Sequence, residues 1–159
     1  MRPVLLALLL AVDAGSVVSV RGDDLDKRVL LKLRDGKEVE APRGQGHLWQ
    51  MDPAVSSDRK LVGWLVAFDG EAATATPKGL ALLRGTELRT LDTHRMIWRW
   101  GFYKDSVVLA LGPEKPHEPA EYVMYALSNF EVRASMKRFE LNEYDAEWAH
   151  AARLQTRLE

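Results

Sequence analysis

The chain has 159 residues, 47% hydrophobic and 28% charged, the ordinary balance of a folded domain and not that of a disordered segment. Its 22 basic and 23 acidic residues nearly cancel, with no long run of one sign, so neither nucleic-acid binding nor a polybasic membrane-surface patch is expected. Cysteine is absent, which excludes disulfides, thiolate metal sites and cysteine nucleophiles.

Residues 1–16 read as a signal peptide. Arg2 supplies a positive charge, Val4 to Val12 is an unbroken apolar run, and Ala14-Gly15-Ser16 offers small residues for cleavage. The run is shorter than the roughly 20 residues that span a bilayer core, so no transmembrane anchor is expected. The competing reading makes it a buried first strand continuing into Val17-Val18-Ser19-Val20. A leader on a cysteine-free chain points to a bacterial periplasmic or secreted protein whose mature form begins near Gly15 or Ser16. Residues 17–28 then read as a charged linker. Within it Arg21-Gly22-Asp23 spells an adhesion tripeptide and Asp23, Asp24 and Asp26 cluster, but they lack the ligand alternation of a calcium loop.

From 29 to 139 the chain reads as short strands cut by turn residues. A strand-turn-strand unit recurs at intervals of about 45 to 50 residues, as in repeat architectures. It runs from Leu30 through Asp35-Gly36 to Ala41, from Leu80 through Arg84-Gly85 to Thr90, and from Val123 through Ser128-Asn129 to Ala134. Leu31, Leu80 and Met124 stand at equal distances before Glu38, Glu87 and Glu131, so all three are expected to face a packed layer. Between the units lie further hairpins, His47 to Phe68 and Ile97 to Leu111. Lettering the strands a to d gives c-d, a-b-c-d, a-b-c-d. Trp49 and Trp98 fall at matching places and Trp100 shares a face with Trp98. These three, with Trp64, are expected in the core.

The stretches P-A-V-S-S-D-R-K-L-V-G-W and G-F-Y-K-D-S-V-V-L-A-L each pass from a strand through an aspartate turn into an apolar strand. In this they resemble the WD40-like repeats of bacterial envelope β-propellers. The resemblance covers about two thirds of the chain and implies blade-like sheets and a partner-binding role. It departs from the family pattern in having no Trp-Asp dipeptide and only one Gly-His pair, Gly46-His47. With fewer than three blades, where closed propellers have about four to eight, the chain is expected to form an open meander or sandwich, or to complete a ring by homo-oligomerisation.

Residues 140–159 read as an amphipathic helix. Asn142 serves as N-cap, Glu143 and Asp145 sit in the first turn, and Leu141, Tyr144, Trp148, Ala151, Gln155 and Leu158 form one stripe. The expected fold is therefore mainly β: an antiparallel meander of blade-like sheets, about ten strands, with one C-terminal α-helix.

No contiguous catalytic signature is present, and Ser56 and Ser57 read as turn formers. The histidines match no metal spacing, so no metal, cofactor or catalytic residue is assigned. Strand alternation instead gathers the longer loops at one end, where His47, His94, His117, Glu118 and Glu71 form a candidate binding rim with His117-Glu118 as its polar anchor. The expected function is an exported, non-enzymatic β domain that binds another protein, a ligand or an envelope component, acting as an inhibitor or as part of an envelope complex. The alternatives are a small metal-dependent or hydrolytic enzyme using the same rim, and a structural propeller fragment completed by oligomerisation.

Overall fold

In the computed structural model, which describes residues 12–69 and 76–154, eleven strands form three antiparallel sheets, none of them closed. The first sheet contains β1 (Val17–Asp23), β2 (Arg28–Leu33) and β3 (Glu38–Glu40). The second contains β4 (His47–Val55), β5 (Leu61–Phe68), β6 (Gly79–Arg84) and β7 (Glu87–Asp92). β8 (Ile97–Tyr103), β9 (Ser106–Leu111), β10 (Ala120–Ala126) and β11 (Val132–Arg138) make the third. Within each sheet every strand pairs with its neighbours in sequence, so each is an up-and-down meander.

The sheets stack in chain order, and the pleat of β5 explains why its sequence is apolar throughout. Leu61 and Leu65, with Leu80 and Leu82 of β6, point toward the third sheet and meet Ile97, Trp100 and Leu109. Val62, Trp64 and Val66, with Ala81 and Leu83, point the other way and meet Val17, Val29 and Leu31 of the first sheet. A strand buried on both faces has no polar alternation to show. Leu31, Leu80 and Met124 each face the layer that follows their own sheet; Leu31 and Leu80 are fully buried and Met124 half-buried. Their spacing from the turn glutamates is not a true repeat register, however. Glu38 pairs with Lys32, whereas Glu87 pairs with Arg84 across a tighter turn.

Two polar side chains lock one sheet to the next. Gln50 of β4 is 1% exposed. Its Oε1 accepts the Val29 N–H (3.0 Å) and its Nε2 donates to the Ala41 carbonyl (2.9 Å). Because Ala41 N–H already donates to Val29 C=O (2.8 Å), the glutamine amide is spliced between the two backbone groups that would have closed this rung of the first sheet. The corresponding residue of the third sheet is Trp100, whose Nε1 donates to the Asp52 carbonyl (2.8 Å). Gly63 makes room for its ring: a Cβ there would lie 2.6 Å from Trp100 Cη2.

Three expectations need correction. The linker at 17–28 is strand β1 and the turn into β2. Its charges lie on the outer face, where Arg21 pairs with Glu38 (2.6 Å), or at the turn, where Arg28 pairs with Asp23 (3.0 Å), while Val17 and Val20 pack inward. Nor is the C-terminal helix expected over 140–159 seen among the described residues. A 3-10 turn, Glu147–His150, leads into the single α-turn α1 (Ala151–Leu154), and 155–159 lie outside the described residues. Side chains satisfy the backbone in place of a helix. Asn142 Oδ1 accepts the Tyr144 N–H (2.9 Å), Asp145 accepts the Asn142 N–H (2.9 Å) and Arg138 Nε (2.8 Å), and Ala146 is extended.

Trp98 is the third correction, being 49% exposed. Both first strands shift register at their second residue, between His47 and Trp49 and between Ile97 and Arg99. Trp98 is therefore the counterpart of Leu48 and not of Trp49, and the bulge turns it outward. Of the segment 1–16 that the sequence suggests as a leader, residues 1–11 lie outside the described residues. Its last residues form a 3-10 turn, Ala14–Ser16, with Ala14 buried and its N–H donating to the Gly85 carbonyl (2.7 Å).

The outer faces of the end sheets differ. The first carries Arg21, Lys32, Glu38 and Glu40 toward solvent. Val108, Ala110 and Tyr122 of the third are covered by Ala149, Ala151 and Ala152. Gly101 of β8 lets this segment approach, because a Cβ there would collide with the Ala151 carbonyl.

Gln50→Ala should cost about 2 to 5 kcal/mol in urea denaturation, since it strands a buried N–H and a buried C=O. Gly101→Ala should speed proteolytic cleavage after 138 while shifting the global unfolding midpoint less than Gln50→Ala does. Equal loss in both measurements would mean that the C-terminal segment opens only with the whole fold.

Candidate binding cleft

The ladder ends give the two ends of the stack their character. His47 lies opposite Phe68, Gly79 opposite Asp92, Ile97 opposite Leu111 and Ala120 opposite Arg138. The connections 41–46, 93–96 and 112–119 and the strand ends at Phe68 and Gly79 thus share one end, and the tight turns share the other.

At the loop end the histidines do different things. His47 is an internal brace: its Nδ1 accepts the Gly44 N–H (2.9 Å) and its Nε2 lies 3.0 Å from Thr90 Oγ1. An Nδ1 that accepts leaves the proton on Nε2, so the neutral tautomer donates to Thr90. Burial, and then the nearby Arg43 charge, push its pKa below the ordinary imidazole value. His94 is exposed, with Nδ1 3.6 Å from Asp92 Oδ2, and His117 and Glu118 are exposed in the 112–119 loop. Glu71 lies outside the described residues.

Among the described residues, no hydrogen bond or ion pair joins His47, His94, His117 and Glu118, and no three His, Asp or Glu side chains group closely enough to hold a metal ion. The residue that ties this end together is Arg95. Its guanidinium bonds Glu121 (2.5 Å) and the Gly112 carbonyl (2.8 Å), linking the β7–β8 connection to the β9–β10 loop.

The tight-turn end carries a cavity of about 550 Å³ between the second and third sheets, within the range of small-ligand sites. Its apolar lining is Leu61, Phe102 and Leu127 at the end of the core between these sheets, together with Val55, which packs on the core toward the first sheet. The β4–β5 turn supplies Ser56, Ser57 and Asp58, the end of β6 supplies Arg84, the β8–β9 turn supplies Lys104 and Asp105, and Ser128 and Arg133 close the third sheet's side.

The acids here are committed to holding turns. Asp58 accepts from Ser56 Oγ (2.7 Å) and the Lys60 N–H (3.0 Å), and Ser56 Oγ in turn accepts the Leu61 N–H (3.0 Å). Asp105 pairs with Arg133, whose Nη1 also donates to Ser106 Oγ (3.0 Å). These bonds hold both carboxyls below the ordinary aspartate value, the Ser56 hydroxyl acting first on Asp58 and the Arg133 guanidinium first on Asp105. Arg89 of β7 fixes the two walls by donating to the Leu127 (3.0 Å) and Ser128 (3.1 Å) carbonyls while lying over the Phe130 ring.

Two cations are left over. Among the described residues, no hydrogen bond or ion pair engages the Arg84 side chain, although Glu87 is its cross-strand neighbour, and Lys104 Nζ stands 5.1 Å over the Tyr103 ring. The sequence reading passed over these residues, because isolated Arg, Lys and Asp in tight turns carry the signal of any solvated hairpin. Comparison with family models, with curated proteins and with solved structures found no match.

His47 should make stability depend on pH. Its folded pKa is lowered, so the unfolded chain takes up the proton first, and stability present above about pH 6.5 is lost as pH falls through the imidazole range. Denaturation at pH 7.5 and 5.5 should show a drop in the native chain that shrinks in His47→Gln; an equal drop in both would exclude the histidine.

Proposed function

We propose that the chain is an exported, non-enzymatic β domain of propeller-like build that recognises a partner or ligand in the cleft between its second and third sheets. The observation carrying this reading is the cavity itself, with apolar and polar side chains in its lining, between walls that Arg89 braces. Recognition fits it better than acid–base catalysis. A general acid or base works best with a pKa near the operating pH, and both cleft carboxyls are displaced the opposite way.

The resemblance to envelope propeller repeats supports the same role, and each sheet has the up-and-down order of a blade. Ring completion by oligomerisation is disfavoured by the ends of the stack. One outer face presents alternating charges, as terminal repeats do, and the other is already covered. The chain should therefore sediment as a monomer; a stable closed oligomer would overturn this part of the reading.

Export rests on the sequence of 1–16. The terminus of the natively expressed protein is expected at Gly15 or Ser16, at the expense of the Ala14 bond to Gly85. An intact Met1 would refute export. Phe102→Ala and Arg133→Ala should each weaken partner binding at least tenfold, and His94→Ala and His117→Ala should leave it unchanged. The reverse pattern would move the site to the loop end.

A further inference from the structure

The charge pattern of the cleft goes beyond its shape. Three cations (Arg84, Lys104 and Arg133) meet two carboxylates (Asp58 and Asp105) in its lining. The carboxylates are already satisfied by hydroxyl, backbone and guanidinium donors. Arg133 is spent on Asp105 and Arg84 acts on Asp58 only through space, so among the described residues neither the Arg84 guanidinium nor the Lys104 ammonium makes a hydrogen bond or ion pair beside the apolar lining. A singly charged anion brings the lining to neutrality, whereas a phosphomonoester carries about −1.5 to −2 at pH 7 and overshoots it. A guanidinium presents a planar fork that matches a carboxylate bidentately. The carboxylate must be carried on something apolar, because Val55, Leu61, Phe102 and Leu127 line the cleft beside it.

The Ser57 and Ser128 hydroxyls also line the cleft, and neither is engaged in an internal hydrogen bond among the described residues. They offer partners for amide groups next to the carboxylate, which a hydrocarbon chain does not have and a peptide does. A volume of about 550 Å³ suits two or three residues. We infer that the cleft takes the carboxyl-terminal end of a peptide chain with an apolar last side chain, its terminal carboxylate on Arg84 and Lys104. This rests on the cleft being the binding site.

The test uses calorimetric titration of the protein with three probes: an N-acetylated tripeptide ending in leucine with a free carboxylate, the same tripeptide as its carboxamide, and octanoate. The free-acid peptide should bind at least tenfold more tightly than the carboxamide and than octanoate. Arg84→Gln should erase that preference, a loss of about 1.4 kcal/mol or more, and Arg84→Lys should restore part of it. Thermal unfolding of Arg84→Gln is expected to match the native chain, since no internal bond is lost. Equal binding of acid and amide, abolished by Phe102→Ala, would overturn the carboxylate assignment and leave the cleft as the site. Tighter binding of octanoate would replace the peptide with a fatty acid. Binding of any probe that Phe102→Ala and Arg84→Gln both leave untouched would overturn the cleft and this inference together.

Discussion

The arrangement of this protein depends on one amide side chain. Gln50 belongs to the second sheet, yet it completes a rung of the first, accepting from Val29 and donating to Ala41. A neutral primary amide, which only Asn and Gln carry, offers a donor and an acceptor in the geometry of a peptide bond, so an apolar residue here leaves both bonds unmade. Its burial makes the bond obligatory, because the two backbone groups have no water to turn to. The register between the sheets follows from it, and the face of β5 that carries Val62, Trp64 and Val66 finds its partners in the first sheet. Trp100 repeats the device one layer on with an indole N–H, a single donor in place of a donor and an acceptor.

With the layers fixed, the two ends of the stack become different chemical environments. The loop end is braced by internal bonds, of His47 to Gly44 and Thr90 and of Arg95 to Glu121 and Gly112, which use up polar groups that sequence alone leaves open. At the tight-turn end the sheets part, the intersheet core comes to the surface, and unpaired cations remain around it. Tight turns are short because the strands demand it. The charges they carry end up ringing a cleft without any local sequence feature saying so.

The meander was legible in the sequence, since hairpin punctuation marks where each strand turns and the long apolar runs of β5, β6 and β9 report burial on both faces. Strand β1 was hidden because its charges imitate a linker while its inward valines are spaced by a register shift. The same effect misplaced Trp98: the bulge breaks the two-residue alternation within β8, so Trp98 and Trp100 do not share a face. Helical periodicity at the C-terminus was real as a pattern, but Asn142 and Asp145 compete for the backbone groups that a helix start would need. Gln50, a lone glutamine between Trp49 and Met51, carries no signal until the first sheet is placed beside it.

The alanine-lined cover of the third sheet has a consequence in time. Ala149, Ala151 and Ala152 are too short to enter a neighbour's groove, so the longer contacts of the cover come from Leu141 and Trp148, and the close approach rests on the bare backbone of Gly101. Such a contact can part once those two side chains and the Arg138–Asp145 pair release it. The amides of the third sheet are thus sheltered by a segment able to lift alone, while those of β5 and β6 wait on the opening of two sheets. Protection from exchange should rise toward the middle of the stack and fall off unequally on either side, faster toward the C-terminus.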